Sequence, residues 1–348
     1  MLGISKDVSQ SVDKFQARFY KVLKHSLKLK DEEILIISDY GRKENTMASM
    51  IGYGYYHAAQ KKKHSVTLLH QDVKKGFMFA DKHVVEAMGK LAKENVIILA
   101  VSNKLGRFAD ENSFRTFCRK RGHRFLSATG LGDVKAQHFP LFLDAMQVNF
   151  RRMQKIGNKI KKKWDQAEEI RVRTPAGTDV TFDVSGKEAI ANVGAYHAPG
   201  EGGNMPAGEV YIPPQGMHGV RGKIVVDGTL KTEAGAFLID SPLTLHVRDG
   251  IVEKMEGKHA LLLQKTFEKF EHRAKYPERI RQVGELAIGI NPGAVLIGST
   301  IIDEKVLGTG HIAIGSNHWF GGDIKTIYHG DQVFKKPIFY LNGKKMEL

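Results

Sequence analysis

The chain of 348 residues holds one cysteine, Cys118. A single thiol excludes an intramolecular disulfide and a thiolate-based structural zinc site. No apolar run approaches the roughly 20 residues that a membrane helix needs. The opening MLGISKDVSQSVDKF lacks the apolar block of a signal peptide. These absences lead us to expect a soluble, cytoplasmic protein with no membrane partner. No Gly-x-Gly-x-x-Gly follows the first apolar run, whose exit reads Ser38-Asp39-Tyr40-Gly41-Arg42, so a dinucleotide site is not supported. A nucleophile-elbow motif is missing too, which turns attention away from a serine nucleophile.

Basic residues are not lacking. Lys and Arg number 53 against 38 Asp and Glu, a formal net charge of +15. Clusters stand at Lys61-Lys62-Lys63 and Lys161-Lys162-Lys163. A nucleic-acid binder shows such a bias, but here the basic residues are spread along the chain without a recognition motif. We read them as a solvated basic surface and expect no nucleic-acid partner. The apolar share of 42% and charged share of 26% are those of an ordinary globular protein. The length exceeds what one core usually holds, so two domains are expected.

Val12, Phe15, Phe19, Val22 and Leu23 recur at helical spacing. Apolar strand signatures follow at residues 34–37, 65–69, 96–101 and 123–127, with helices expected at 46–60, 81–93 and 111–121. This alternation predicts a parallel sheet covered by helices, a Rossmann-like α/β domain. One long helix is expected over 141–166, ending in the lysine cluster and Trp164. The texture then changes to short strands and glycine-rich turns, starting with a hairpin of 169–173 and 180–184 and interrupted by a helix near 259–273. The boundary is placed so that 1–166 is the α/β domain and 167–348 a β-rich, α+β metal-binding domain.

Candidate chemistry concentrates in that second half. Ile327 to Phe334 reads as a strand, and a strand sends alternate side chains to one face, so His329 and Asp331 point the same way. An imidazole beside a carboxylate is half of a transition-metal site. His311, in the strand-like Thr309-Gly310-His311-Ile312-Ala313-Ile314-Gly315, offers a third ligand. Glu209 and Glu285 each lie in a strand-like segment on the side opposite the apolar residues. His197 and His218 flank Glu209 in loops and rank below these.

Four segments together resemble the M29 metallo-aminopeptidases, the aminopeptidase T group. They are Asn204-x-Pro206-x-Gly208-Glu209-Val210, Gly284-Glu285-Leu286-x-Ile288-Gly289-x-Asn291-Pro292-Gly293, Asp303-Glu304-Lys305 with Gly308-Thr309-x-His311-x-Ala313-x-Gly315, and the final His329-x-Asp331. The resemblance implies that Glu209, Glu285, His311, His329 and Asp331 bind two divalent ions such as zinc, cobalt or manganese, with an acidic residue bridging them. It also implies a homodimer and a peptide substrate. Two ions about 3.5–4 Å apart activate water without a protein nucleophile, giving an aminopeptidase with Glu209 or Glu285 as general base. Where the peptidase pattern has a tyrosine seven residues after the first metal histidine, this chain has His318, an alternative donor to the oxyanion. Lys305 could hold a substrate carboxylate or an oxyanion, although a lysine in a turn is ordinarily solvated.

The same superfamily is similar to iron-dependent dihydroxypyridine ring-cleaving dioxygenases. In that alternative, His311, His329 and Asp331 form a two-histidine, one-carboxylate site for Fe(II) with open positions. Glu209 and Glu285 then act as supporting or acid/base groups. The Glu209–Glu285 pair favours two metals, and the aminopeptidase is the leading expectation.

Overall fold

A computed structural model describes residues 6–41, 45–109 and 113–347. Arg42 and the expected helix start at Glu111 lie outside the described residues. The chain divides into two compact units, one of residues 1–150 with 194–207, the other of 151–193 with 208–348.

The first unit is built on parallel strands β1 (Ile34–Asp39), β2 (Val66–Gln71), β3 (Val96–Ala100) and β4 (Arg124–Ala128), in the order β2-β1-β3-β4 with Gly202–Asn204 added beside β4. β1, β3 and β4 are buried along their whole length, as expected of strands covered on both faces. The crossovers carry helices Met47–Lys61, Lys82–Lys90 and Phe114–Arg121. The last is set by its ends: the Ser113 hydroxyl accepts from the Thr116 N–H, and Gly122 closes it at φ +70°, the left-handed conformation glycine adopts without strain. The opening helix is two, Lys6–Asp13 and Gln16–Leu27, whose Phe19, Val22 and Leu23 are buried.

The second unit contains two antiparallel sheets. One runs in the order Ile251–Glu256, Leu243–Arg248, Val220–Val226, Asp179–Asp183, Glu169–Arg173, Ile338–Leu341, Lys344–Lys345. It includes the hairpin read from the sequence, fastened by Arg171 donating from Nε and Nη2 to the two Asp179 oxygens at 2.7 Å each. The other sheet consists of β5 (Ile190–Asn192), β6 (Glu209–Ile212), β7 (Val283–Gly289), β8 (Thr309–Gly315) and β9 (His329–Lys335), in the order β9-β8-β7-β6-β5. A small hairpin pairs Thr229–Thr232 with Gly235–Leu238, and helix Ala260–Glu271 matches the one expected near 259–273.

The single helix expected over 141–166 is two helices, Phe139–Met146 and Phe150–Trp164. The second packs within the second unit. A Cβ on Gly157 would lie 2.4 Å from Val193 and 3.0 Å from Ile290, so the missing side chain lets this helix lie against the back of the β5–β9 sheet. Its Trp164 ring packs 5.5 Å from Phe339. Among the described residues, no helix is long and apolar enough to cross a membrane.

Candidate metal centre

Period-two alternation divides the β5–β9 sheet into two faces. Val210, Ile212, Leu286, Ile288, Ile312, Ile314 and Phe334 take one face, and all are buried. The other face carries the chemistry. Register pairs Gly289 with Glu209, Glu285 with Ala313, and Ala313 with Asp331. His311 lies opposite Ala287, and His329 opposite Gly315. Directly paired residues share a face, so five donor side chains from four strands emerge together. Between them Ala287 and Ala313 put only a methyl each over the sheet and leave a hollow, whereas backbone packs over Gly289 and Gly315, with the Val306 and Tyr328 carbonyl oxygens 2.2 Å and 2.3 Å from where a Cβ would stand.

Distances confirm the grouping. His311 Nε2 lies 3.4 Å from Glu285 Oε1 and 3.7 Å from Glu209 Oε2. His329 Nε2 lies 3.3 Å from Asp331 Oδ1 and 3.9 Å from Glu285 Oε2. Donor atoms of Glu285, His311 and Asp331 all fall within 4.8 Å of one another. The Ser316 carbonyl accepts from His329 Nδ1 at 2.8 Å, which fixes the tautomer and leaves Nε2 for a ligand.

A second group of donors, Glu209, Glu304 and His311, meets the same criterion and shares His311 with the first. Glu304 was not singled out in the sequence, because an acid in an Asp-Glu-Lys turn reads as solvated. It sits just past the short helix Thr300–Asp303. Lys305, expected to be solvated, is 0% exposed. Its ammonium lies 2.7 Å from Glu209 Oε1 and also pairs with Glu304. Glu209 further accepts from Asn192 Nδ2 at 3.1 Å. Two features of the chain make the turn dive inward. Buried Asp303 accepts from the N–H groups of Ile297, Gly298 and Ser299 and from the Thr229 hydroxyl. Gly289 has no side chain where the Val306 carbonyl passes, 2.2 Å from where its Cβ would stand.

Burial and mutual charge shift these groups strongly. Burial pushes the Glu285 carboxyl up, against the pull of His311 and His329. It also pushes Glu304 up to about 8, against the pull of Lys305. Burial depresses the imidazoles, but the surrounding carboxylates more than reverse this. His311 stands at about 9, helped first by Glu285, and His329 at about 10, helped first by Asp331. Burial would raise Asp331, yet the two histidines hold it well below the usual carboxylate range.

The other candidates lie apart from this cluster. His318 is exposed, in the turn His318–Phe320, and hydrogen-bonds to the Ser316 hydroxyl at 3.0 Å. It also stands edge-to-face with Trp319 at 5.4 Å, and it belongs to neither donor group, so the structure does not put it beside the metal as an oxyanion donor. His197 Nε2 meets the His25 carbonyl, and His218 Nδ1 meets the Asp249 carbonyl. Neither joins the donor groups.

The donor set fits a metal ion. His311 is fully buried, yet neither ring nitrogen has a hydrogen-bond partner. Buried polar atoms are rarely left idle, and a cation between His311, Glu285 and Asp331 would satisfy one of them. Imidazoles and carboxylates suit iron, manganese, zinc or cobalt, and the lack of a thiolate disfavours softer ions.

The family model described as NicX, 2,5-dihydroxypyridine 5,6-dioxygenase, matches residues 14–346. No curated protein matches the chain. Among solved structures, 2,5-dihydroxypyridine dioxygenase from Pseudomonas putida KT2440 aligns at a TM-score of 0.75 and 16% identity, over 97% of this chain and 96% of that one. AmpT from Thermus thermophilus aligns at 0.66 and 13% identity, over 96% and 98%. At these identities both likenesses show the fold alone, a parallel α/β part followed by antiparallel β sheets. The family match overturns the expectation of an aminopeptidase, and with it the hydrolase class and the peptide substrate. The carboxylate pair that favoured two metals, Glu209 with Glu285, is also not equivalent in the structure, since Glu209 is taken up by Lys305 and Asn192. From residue 14 to residue 346, the chain belongs to the NicX family of 2,5-dihydroxypyridine 5,6-dioxygenases.

Proposed function

We propose that this protein is an Fe(II)-dependent dioxygenase that opens the ring of a hydroxylated pyridine. The observation that carries the reading is the family match over nearly the whole chain. The donor chemistry supports it. His311, His329 and Asp331 provide two imidazoles and one carboxylate, the set that leaves open positions on non-haem iron. When bound, Fe(II) supplies the redox chemistry that lets O₂ react with an aromatic ring.

The chain's own residues do the rest. Ser316 holds the His329 ring so that Nε2 faces Asp331 and Glu285. Glu285, buried with Oε1 3.4 Å from His311 Nε2, is placed to take the proton of a ring hydroxyl at a carboxylate oxygen, and the burial that pushes its carboxyl up makes it a stronger base than an exposed glutamate. Lys305 and Asn192 fix Glu209 as a charged wall of the hollow. Aromatic side chains border it. Trp319 stands edge-to-face with His329 at 4.9 Å, and Phe320 packs edge-on against Tyr211 at 5.2 Å. Flat π faces of this kind favour a planar ring.

Both atoms of O₂ end in the ring-opened product, so no external reductant is required. The test is anaerobic loading with Fe(II), followed by simultaneous recording of O₂ and 2,5-dihydroxypyridine. Equal amounts of the two should disappear. An iron-loaded protein that consumes no O₂ with any dihydroxypyridine sinks the proposal.

A further inference from the structure

The second donor group, Glu209, Glu304 and His311, is separate from the iron site except for the shared histidine. Its carboxylates come from β6 and from the turn after Thr300–Asp303, and His311 from β8. All three are enclosed: Glu209 is 4% exposed, His311 is 0% exposed, and the Glu304 side chain is 12% exposed. His311 has no hydrogen-bond partner for either nitrogen. With His311 turned to the iron, Glu209 and Glu304 remain as two buried carboxylates, hard oxygen donors that suit a divalent cation. What stands between the two carboxylates is the ammonium of Lys305, itself 0% exposed.

We infer that Lys305 occupies a second cation subsite and thereby restricts the centre to one metal ion. The inference rests on the single-iron reading above and adds a residue that sets metal number. An ammonium and a divalent ion compete for the same oxygens. A fixed positive charge also repels a metal brought beside it. The lysine is held as a built part of the site and is not a flexible surface chain that has folded in. Asp303 anchors the preceding turn with four accepted hydrogen bonds. The backbone at Lys305 and Val306 fills the space left by Gly289. Substituting a neutral side chain leaves the Glu209 and Glu304 carboxyls buried without their cation. Uncompensated buried charge is costly, so the vacated site should recruit a metal.

The test counts ions in the whole protein by native mass spectrometry, titrating metal-free samples with Co(II) alone and following its visible absorption. Wild type should bind about one ion and Lys305→Met about two. Lys305→Arg, which keeps the charge, should stay at one. If Lys305→Met does not fold, Lys305→Gln, which keeps a hydrogen-bond donor without charge, should likewise take two. One ion in both neutral variants, with one in wild type, overturns the inference and leaves the single-metal reading standing. Two ions in wild type overturn it as well, because the ammonium then excludes nothing. No ion in any of the proteins removes the metal reading itself.

Discussion

The Ser316 carbonyl accepts a hydrogen bond from His329 Nδ1 at 2.8 Å, and the remaining nitrogen, Nε2, lies 3.3 Å from Asp331 Oδ1. A backbone acceptor outside the strand thus selects the tautomer that a strand histidine needs in order to ligate. The bond also orients an imidazole that is a quarter exposed.

The first prediction concerns those two side chains. Loss of an outer-sphere partner usually costs about 10–100-fold in metal affinity, and loss of a ligand should cost more. His329→Ala and Asp331→Asn should each lower affinity beyond that range, with iron falling to background by elemental mass spectrometry. Circular dichroism should stay that of the wild type, since both residues lie on the hollow side of the sheet. Iron at wild-type levels in either variant would remove that residue from the ligand set.

A second prediction concerns the protons that metal must displace from these donors. Burial alone would strip both imidazoles, yet Glu285, Glu304 and Asp331 hold His311 at about 9 and His329 at about 10. Both rings should therefore carry a second proton at neutral pH in the metal-free protein, and only neutral imidazole can ligate. Metal uptake at pH 7 should release about two protons, with affinity rising as pH approaches 9 and falling in acid. Calorimetric titration with Mn(II) in buffers of different ionisation heat reads this directly. A binding heat independent of the buffer would contradict it.

The third prediction tests why the lysine turn can lie so deep. A Cβ on Gly289 would stand 2.2 Å from the Val306 carbonyl oxygen and 2.8 Å from the Lys305 carbonyl carbon. Backbone cannot give way as a side-chain tip can, so Gly289→Ala should destabilise by about 1–3 kcal/mol. It should also loosen the Lys305–Glu209 pair and weaken metal retention. Gly89, in the helix Lys82–Lys90 with nothing near its absent Cβ, is the contrast. There alanine should stabilise by roughly 0.5–1 kcal/mol. Equal denaturation midpoints for the two variants would count against this account.

What the sequence made legible was what depends on local pattern. The buried strands of the first unit follow from continuous apolar runs set between helices, and the shared face of His329 and Asp331 follows from period-two alternation. The same rule placed Glu209, Glu285 and His311 opposite their apolar neighbours, and the sheet register brings them together. Glu304 and Lys305 were not legible as buried groups, because their burial is decided elsewhere. Gly289 lies sixteen positions from Lys305 in the numbering of the chain, and Thr229 reaches Asp303 from another hairpin. Without that turn in place, two glutamates looked free for a second metal, and the motifs were read as a peptidase. The break at 147–149 was hidden for a related reason. Apolar spacing continues through it, while the two helices it separates pack in different units.

Trp319 carries the last prediction, which separates the ring-binding wall from the metal. Its side chain is 51% exposed, unusual for so large an apolar group, and its ring meets His329 edge-on at 4.9 Å. An exposed indole beside the donors has a face available to a planar substrate, and a pair of that kind contributes about 0.5–1.5 kcal/mol. Trp319→Ala should therefore raise KM for 2,5-dihydroxypyridine by roughly 2- to 12-fold, with kcat and iron content little changed. Trp319→Phe should recover most of the loss, because it retains a π face. A variant that instead loses iron would mean that the indole serves to hold the His329 ring. An unchanged KM in the alanine variant would mean that substrate enters along another wall of the hollow.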